Sequence, residues 1–171
     1  MKNVLILSSS PRRGGNSDTL CDEFMQGAIE SGHRVEKVFL RDKTIHPCTG
    51  CGVCSQYKKP CPQKDDAAEI IGKMLAADVI VMATPVYFYA MSAQMKTLID
   101  RCCGPYTEMK NKEFYFIATA VAGKEEMERT INGLPGAKIS GLIYGAGAWQ
   151  LGEIQGNPAM QQAYQMGKEI D

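Results

Sequence analysis

The sequence predicts an α/β fold, a parallel five-stranded sheet with helices on both faces, and three observations carry that expectation. Short apolar runs of strand length, such as 4–7 and 79–82, recur along the chain and are separated by stretches with helical apolar spacing. The run Val79, Ile80, Val81, Met82 is apolar without alternation, as a strand covered on both faces must be. At 171 residues the chain is long enough for one full-sized core and too short for two comfortable ones.

Residues 2–8 form the first buried strand. A polar loop leads to a helix over 17–30, with Leu20, Phe24, Ala28 and Ile29 on one stripe, which Ser31 and Gly32 end. Residues 34–40 alternate, with Val35, Val38 and Leu40 among charged neighbours, as a strand nearer the sheet edge does. After an irregular stretch over 41–64, Asp65 and Asp66 open a helix bearing Ala67, Ile70, Ile71, Met74 and Leu75, with acids where the helix dipole favours them. Residues 78–83 are the third strand. The next helix, 92–103, carries Met95, Leu98, Ile99 and Cys102 on one face and stops at Gly104 and Pro105. A fourth strand covers 113–120, then come a short helical segment over 123–131 and turn chemistry over 132–136. Residues 139–144 give a fifth strand and 158–170 a closing amphipathic helix. Right-handed crossovers make the flavodoxin-like order 2-1-3-4-5, in a three-layer α/β/α sandwich, the natural arrangement. The expected organisation is one domain over 1–171, with a cysteine-rich insertion at about 45–64.

Nineteen basic and nineteen acidic residues leave no net charge, so nothing global argues for a nucleic-acid or membrane surface. No apolar run approaches a membrane span or a signal-peptide core, and a cytoplasmic location is expected. In a reducing compartment, the clustered members of seven cysteines read as metal ligands or redox groups rather than disulfides.

In such a sheet a ligand sits at the carboxyl ends of the strands where the order switches, here between the first and third strands. The loop Ser8-Ser9-Ser10-Pro11-Arg12-Arg13-Gly14-Gly15-Asn16-Ser17 follows the first. It offers hydroxyls, glycines, a guanidinium and an Asn-Ser pair able to cap the helix, which are the groups that hold a phosphate at a helix start. An ordinary Ser- and Gly-rich turn is the alternative. Thr84, Pro85, Val86, Tyr87, Phe88 and Tyr89 follow the third strand. A ligand with a phosphate at one end and a flat ring at the other would touch both loops, and flavin mononucleotide (FMN) has that shape. A dinucleotide site would instead show G-x-G-x-x-G after the first strand.

The runs S-S-S-P-R-R-G-G-N-S, T-P-V-Y-F-Y-A-M-S and K-T-L-I-D-R resemble the NAD(P)H-dependent FMN reductase group of flavodoxin-like proteins, up to about Val121. The resemblance implies that Ser8, Ser10, Arg12, Asn16 and Ser17 hold the phosphate, and that 84–88 line the isoalloxazine ring. Thr119, Ala120 and Gly123 would close the site from the other side. Tyr87, Phe88 and Tyr89 also suit a core or a dimer contact. Lys96, Asp100 and Arg101 read as a solvated, salt-bridging helix face.

Within the irregular stretch stand Cys48, Cys51 and Cys54 at x2 spacing, then Cys61 followed by Pro62. Three closely spaced thiolates can wrap an iron–sulfur cube and a fourth completes it, with Gly50 and Gly52 letting the backbone turn. The spacing resembles the cysteine motif of the iron-sulfur flavoproteins, which carry a [4Fe–4S] cluster beside FMN. A Cys₄ zinc site and metal-free thiols are the alternatives. His46 is a possible substitute ligand or an exposed loop histidine, and Cys21, Cys102 and Cys103 read as small buried apolar residues.

The expected function is an FMN-dependent oxidoreductase or electron-transfer flavoprotein passing electrons between NAD(P)H or a reduced carrier, FMN and the cluster. The alternatives are a cluster-free NAD(P)H-dependent FMN or quinone reductase, and a flavodoxin-like carrier or interaction module with a structural zinc loop. A homodimer or homotetramer is expected, because the apolar stretch 144–149 has no place in a minimal core. Lys58, Lys59 and Lys64 offer a local positive patch for an acidic ferredoxin-like partner. Neither nucleic acid nor membrane is expected as a partner.

Overall fold

A computed structural model of the chain describes residues 1–121, 138–148 and 150–170. The expected helix over 123–131, the turn over 132–136, Gly123 and Trp149 lie outside the described residues. Five long strands, β1 (Asn3–Ser8), β2 (Arg34–Phe39), β3 (Val79–Tyr87), β5 (Glu113–Ala120) and β6 (Lys138–Ala146), make a parallel sheet in the order β2-β1-β3-β5-β6. Counted without the two-residue strand β4 (Ala90–Met91), this is the flavodoxin-like order expected from the pattern. β4 pairs antiparallel with the end of β3 and so forms a small hairpin beyond the sheet.

Helices α1 (Asn16–Glu30) and α4 (Pro158–Lys168) cover one face, α2 (Ala67–Ala76) and α3 (Ala93–Arg101) the other. Each strand therefore supplies two cores. Val4, Ile6, Val79, Val81 and Ile117 pack with Leu20 and Phe24 of α1, while Leu5, Leu7, Ile80, Met82 and Phe116 pack with Ile70 and Met74 of α2 and Met95 and Leu98 of α3. That double burial is why the central strands carry no polar alternation. Gly27 and Gly167 let α1 and α4 touch backbone to backbone, since a Cβ on either would strike the main chain of the other helix.

The helix starts differ in detail from the sequence pattern. α1 begins at Asn16 with Gly15 as its cap and no side-chain capping bond, so the Asn-Ser pair is not the cap. Asp66 stands at the cap position of α2 without a side-chain capping bond, and it is the Asp65 carboxylate that accepts from Ala67 N at 3.1 Å. Cys21 and Cys102 are buried, and burial pushes both thiols up to about 12. Cys103 is exposed, not buried as its helical position suggested, because α3 stops at Arg101 and the chain turns away. The stretch after Ile143 is also less free than expected. β6 runs on through Tyr144 to Ala146, and Ala148 is buried in the core against α1. No helix among the described residues is long and apolar enough to cross a membrane.

Candidate functional site

Because β1 and β3 are neighbours whose following helices lie on opposite faces, a cleft opens at their carboxyl ends. A cavity of about 460 Å³ occupies it, a size suited to a small-molecule cofactor. Ser10, Arg12, Asn16 and Ser17 line one end. Pro85, Val86, Tyr87 and Phe88, joined by Tyr89, line a second side. Thr119 and Ala120, joined by Val121 and Ala148, line the third.

The loop between β1 and α1 is held in shape before any ligand enters. Ser9 N and Oγ both donate to Ala83 O, at 2.9 and 2.8 Å, which ties the loop to β3. Ser10 Oγ donates to Arg12 O at 3.1 Å and accepts from Arg12 N at 3.3 Å. Beneath the loop, the buried carboxylate of Asp18 accepts from Ser8 Oγ at 3.0 Å and from Gly14 N at 3.2 Å. Lys37 Nζ, 2.6 Å from Asp18, offsets the negative charge that would otherwise face an anion. Burial works against the Lys37 cation, yet its hydrogen bonds to Asp18 and Asp22 hold its pKa above the ordinary lysine value. Ser8 is thus committed to Asp18 and does not reach the cavity. Neither Asp18 nor Lys37 stood out in the sequence, since a helical Asp and a strand Lys normally face solvent.

Ser17 is the residue that calls for a ligand. It is 1% exposed, and its Oγ has no hydrogen-bond partner among the described residues. A buried hydroxyl left unpaired costs about 1–3 kcal/mol, which an acceptor in the cavity would relieve. It stands in the first turn of α1, where helix amides favour an anion. Asn16 lines the same wall but is otherwise engaged: its Nδ2 donates to Gln150 O at 3.1 Å and its Oδ1 accepts from Ile154 N at 3.4 Å. Its side chain clamps the segment after β6 while standing on the cavity wall.

The aromatic side of the cleft is the β3–β4 hairpin, in which Tyr87 pairs with Ala90. Its two tip residues, Phe88 and Tyr89, have φ of 48° and 62°, a turn geometry normally left to Asn and Gly. Bulky residues held there carry strain of about 1–2 kcal/mol each, a cost typical of functional loops. Phe88 is 96% exposed and meets Tyr89 edge to face. Thr84 turns away from the cavity. Its Oγ1 donates to Pro85 O and accepts from Ser92 N at 2.9 Å, while Ser92 Oγ donates to Ser9 Oγ at 2.8 Å. This buried hydroxyl chain fixes the hairpin, α3 and the loop between β1 and α1 to one another.

A second cavity, of about 200 Å³, is lined by Cys48, Cys51, Cys54 and Cys61 together with Cys103, Asp100 and Arg101. All seven cysteines are free thiols. Gly50 and Gly52 have φ of 67° and 74°, so the turn that lets three cysteines face one space needs glycine at both positions. The N–H of Val53, and then the Thr49 hydroxyl, hold the Cys51 thiol below its ordinary pKa. Arg101 departs from the solvated face expected of it, whereas Lys96 and Asp100 do form an exposed pair at 2.6 Å. The Arg101 side chain is 2% exposed and grips the fully buried Asp65 through Nη1 at 2.5 Å and Nη2 at 3.1 Å. Nη2 also donates to Cys61 Sγ at 3.4 Å, and Nη1 to His46 O at 2.9 Å. His46 itself is an exposed side chain 3.2 Å from Asp65. The sulfurs share a cavity without converging: no group of three His, Cys, Asp or Glu among the described residues is in metal-holding geometry.

Residues 2–148 match the family described as NADPH-dependent FMN reductase, and the chain belongs to that family. An iron-sulfur flavoprotein of Methanosarcina thermophila is 32% identical over 157 residues, covering 90% of this chain and 82% of that protein. An iron-sulfur flavoprotein of Methanocaldococcus jannaschii is 44% identical over 98 residues, 57% of this chain and 50% of the relative. The chain thus spans about half the length of that relative, and 45% of one from Archaeoglobus fulgidus. Among solved structures, the NAD(P)H:quinone oxidoreductase from Methanothermobacter marburgensis superposes with a TM-score of 0.76 over 99% of both chains at 18% identity, a likeness of fold.

Proposed function

We propose that this chain is an FMN-dependent oxidoreductase that takes electrons from NAD(P)H or a reduced carrier and passes them onward through a [4Fe–4S] cluster. The unpaired, buried Ser17 hydroxyl at the phosphate end of a cleft with an aromatic far side is the observation that carries the flavin assignment. Ser10, Arg12 and Ser17 hold the phosphate, Pro85, Val86, Tyr87 and Phe88 flank the ring, and Thr119 and Ala120 close the opposite edge. Once bound, FMN accepts a hydride and can release its electrons one at a time. The protein's part is to fix the ring against the hairpin and to limit water on that side.

The donor set suits the cluster: soft thiols on one cavity, glycines at the turn, backbone and guanidinium N–H groups aimed at sulfur. Cys48, Cys51, Cys54 and Cys61 are its ligands in this reading. The names of the archaeal relatives support it. Helix α3 links the two sites, with its amino end on the flavin-side hairpin and Arg101 at its carboxyl end, an axial span of about 13 Å. Because the sulfurs are not gathered in metal-holding geometry, a cluster-free FMN or quinone reductase is the second reading. Homodimers or homotetramers in the cytoplasm, with an acidic ferredoxin-like partner at the lysine patch, complete the proposal. Anaerobic mixing with NADH or NADPH tests it: bleaching of the flavin followed by reoxidation with a ferric or quinone acceptor is expected. A flavin that neither nicotinamide reduces would remove the reductase and leave a carrier.

A further inference from the structure

Arg101 is a buried cation whose two terminal nitrogens both pair with Asp65 and each reach a second acceptor, His46 O from Nη1 and Cys61 Sγ from Nη2. Asp65 accepts from both terminal nitrogens, fixing the plane of the guanidinium, and that plane carries Nη2 to Cys61 Sγ at 3.4 Å. The side chains of Arg101 and Asp65 are 2% and 0% exposed, so water does not compete for the ion pair that orients the guanidinium. Of the four cysteines in the insertion, Cys61 alone stands outside the x2 spacing. We infer that Arg101 is a positioning residue for the cysteine site, its Nη2–H directed at the Cys61 sulfur so as to favour the reduced state of a cluster bound there. The inference rests on the cluster reading proposed above.

Adding one electron, supplied by the titrating reductant, places further negative charge on the sulfur ligands while no bond forms or breaks. An N–H donor and a fixed positive charge at one ligand stabilise that charge more than they stabilise the oxidised state. A lysine at 101 keeps the positive charge for Asp65 but has no planar second arm for Cys61. Arg101→Lys is therefore expected to disfavour the reduced cluster about tenfold at a given potential, a shift of roughly 59 mV downward for one electron.

The experiment is an anaerobic redox titration of the holoprotein, wild type against Arg101→Lys and Asp65→Asn, with iron content, FMN content and the visible spectrum recorded for each. The expected result is full iron and FMN in all three, with the downward shift in Arg101→Lys and none in Asp65→Asn, which keeps the guanidinium and removes a negative charge that opposes reduction. Loss of iron from Arg101→Lys alone, with FMN retained and Asp65→Asn still loaded, also supports a contact made by Arg101 itself. An unchanged potential in Arg101→Lys overturns the inference. Equal shifts, or iron lost from both variants, overturn it too, since the ion pair then merely holds the loop. Wild-type protein that never carries iron refutes the cluster reading together with this inference, whereas a loaded wild type with an unmoved Arg101→Lys refutes the inference alone.

Discussion

Gly15→Ala isolates the shape of the loop between β1 and α1, the proposed phosphate cradle, from its charge. Gly15 has φ −65° and ψ 158°, which alanine adopts without strain, so any effect comes from the added methyl. That methyl would overlap Ser10 Oγ and stand 3.1 Å from Arg12 O, a main-chain atom. The cheapest relief is to rotate the Ser10 side chain, which breaks its two hydrogen bonds to Arg12 at 3.1 and 3.3 Å. At about 0.5–1.5 kcal/mol each, the loss is about 1–3 kcal/mol, and it falls on the conformation proposed to receive the phosphate. FMN affinity should drop by about fivefold to a hundredfold, read by fluorescence quenching as FMN is titrated into apoprotein. Riboflavin, which lacks the phosphate, should lose little. An FMN affinity within twofold of wild type, or an equal loss for riboflavin, would refute a preformed phosphate loop at 9–17.

Arg12→Ala should weaken FMN about tenfold in the same titration, with thermal stability little changed, because a charge-assisted contact to phosphate is lost. Cys61→Ser should lower iron content while FMN stays bound, since hydroxyl is a poor ligand for iron; full iron would show that Cys61 is not needed. Arg101 holds the Asp65 carboxyl well below the usual carboxylate range. A depressed folded-state pKa contributes stability that is present above the unfolded value of about 3.9 and is lost as the pH falls below it. Melting temperatures followed down to about pH 3 should therefore fall less steeply for Asp65→Asn than for wild type, and parallel curves would count against that linkage. Phe88→Ser should shift any oligomer towards monomer by light scattering, as Phe88 is the most exposed large apolar side chain among the described residues.

The sheet was legible because burial on both faces leaves an unmistakable record, as in Val79 to Met82, and turn residues punctuate it. That Ser10, Arg12, Ser17 and the aromatic tip would meet at one cleft was legible because a loop at the carboxyl end of a strand has few reasons to carry such side chains. What stayed hidden depends on distant pairing. Asp18 and Lys37 are 19 residues apart in sequence and meet only because β2 lies beside β1 under the loop. Arg101 looked like its neighbours Lys96 and Asp100, and its burial depends on Asp65, 36 residues away. Thr84 and Ser8 had suitable chemistry in suitable places, but Ser92 and Asp18 claim their hydroxyls from the other side. Ala148 belonged to a Gly-rich tail by composition and to the core by packing, because β6 continues farther than its apolar run.

The most direct test of two redox groups on one chain is the composition of protein purified without oxygen. FMN stoichiometric with the chain, iron and acid-labile sulfide in the ratio of a [4Fe–4S] cluster, and a broad brown absorption beneath the flavin bands are the expected result. FMN alone, or FMN with zinc in place of iron, would contradict the cluster, and absence of FMN would contradict the flavin site proposed for Ser10, Arg12 and Ser17.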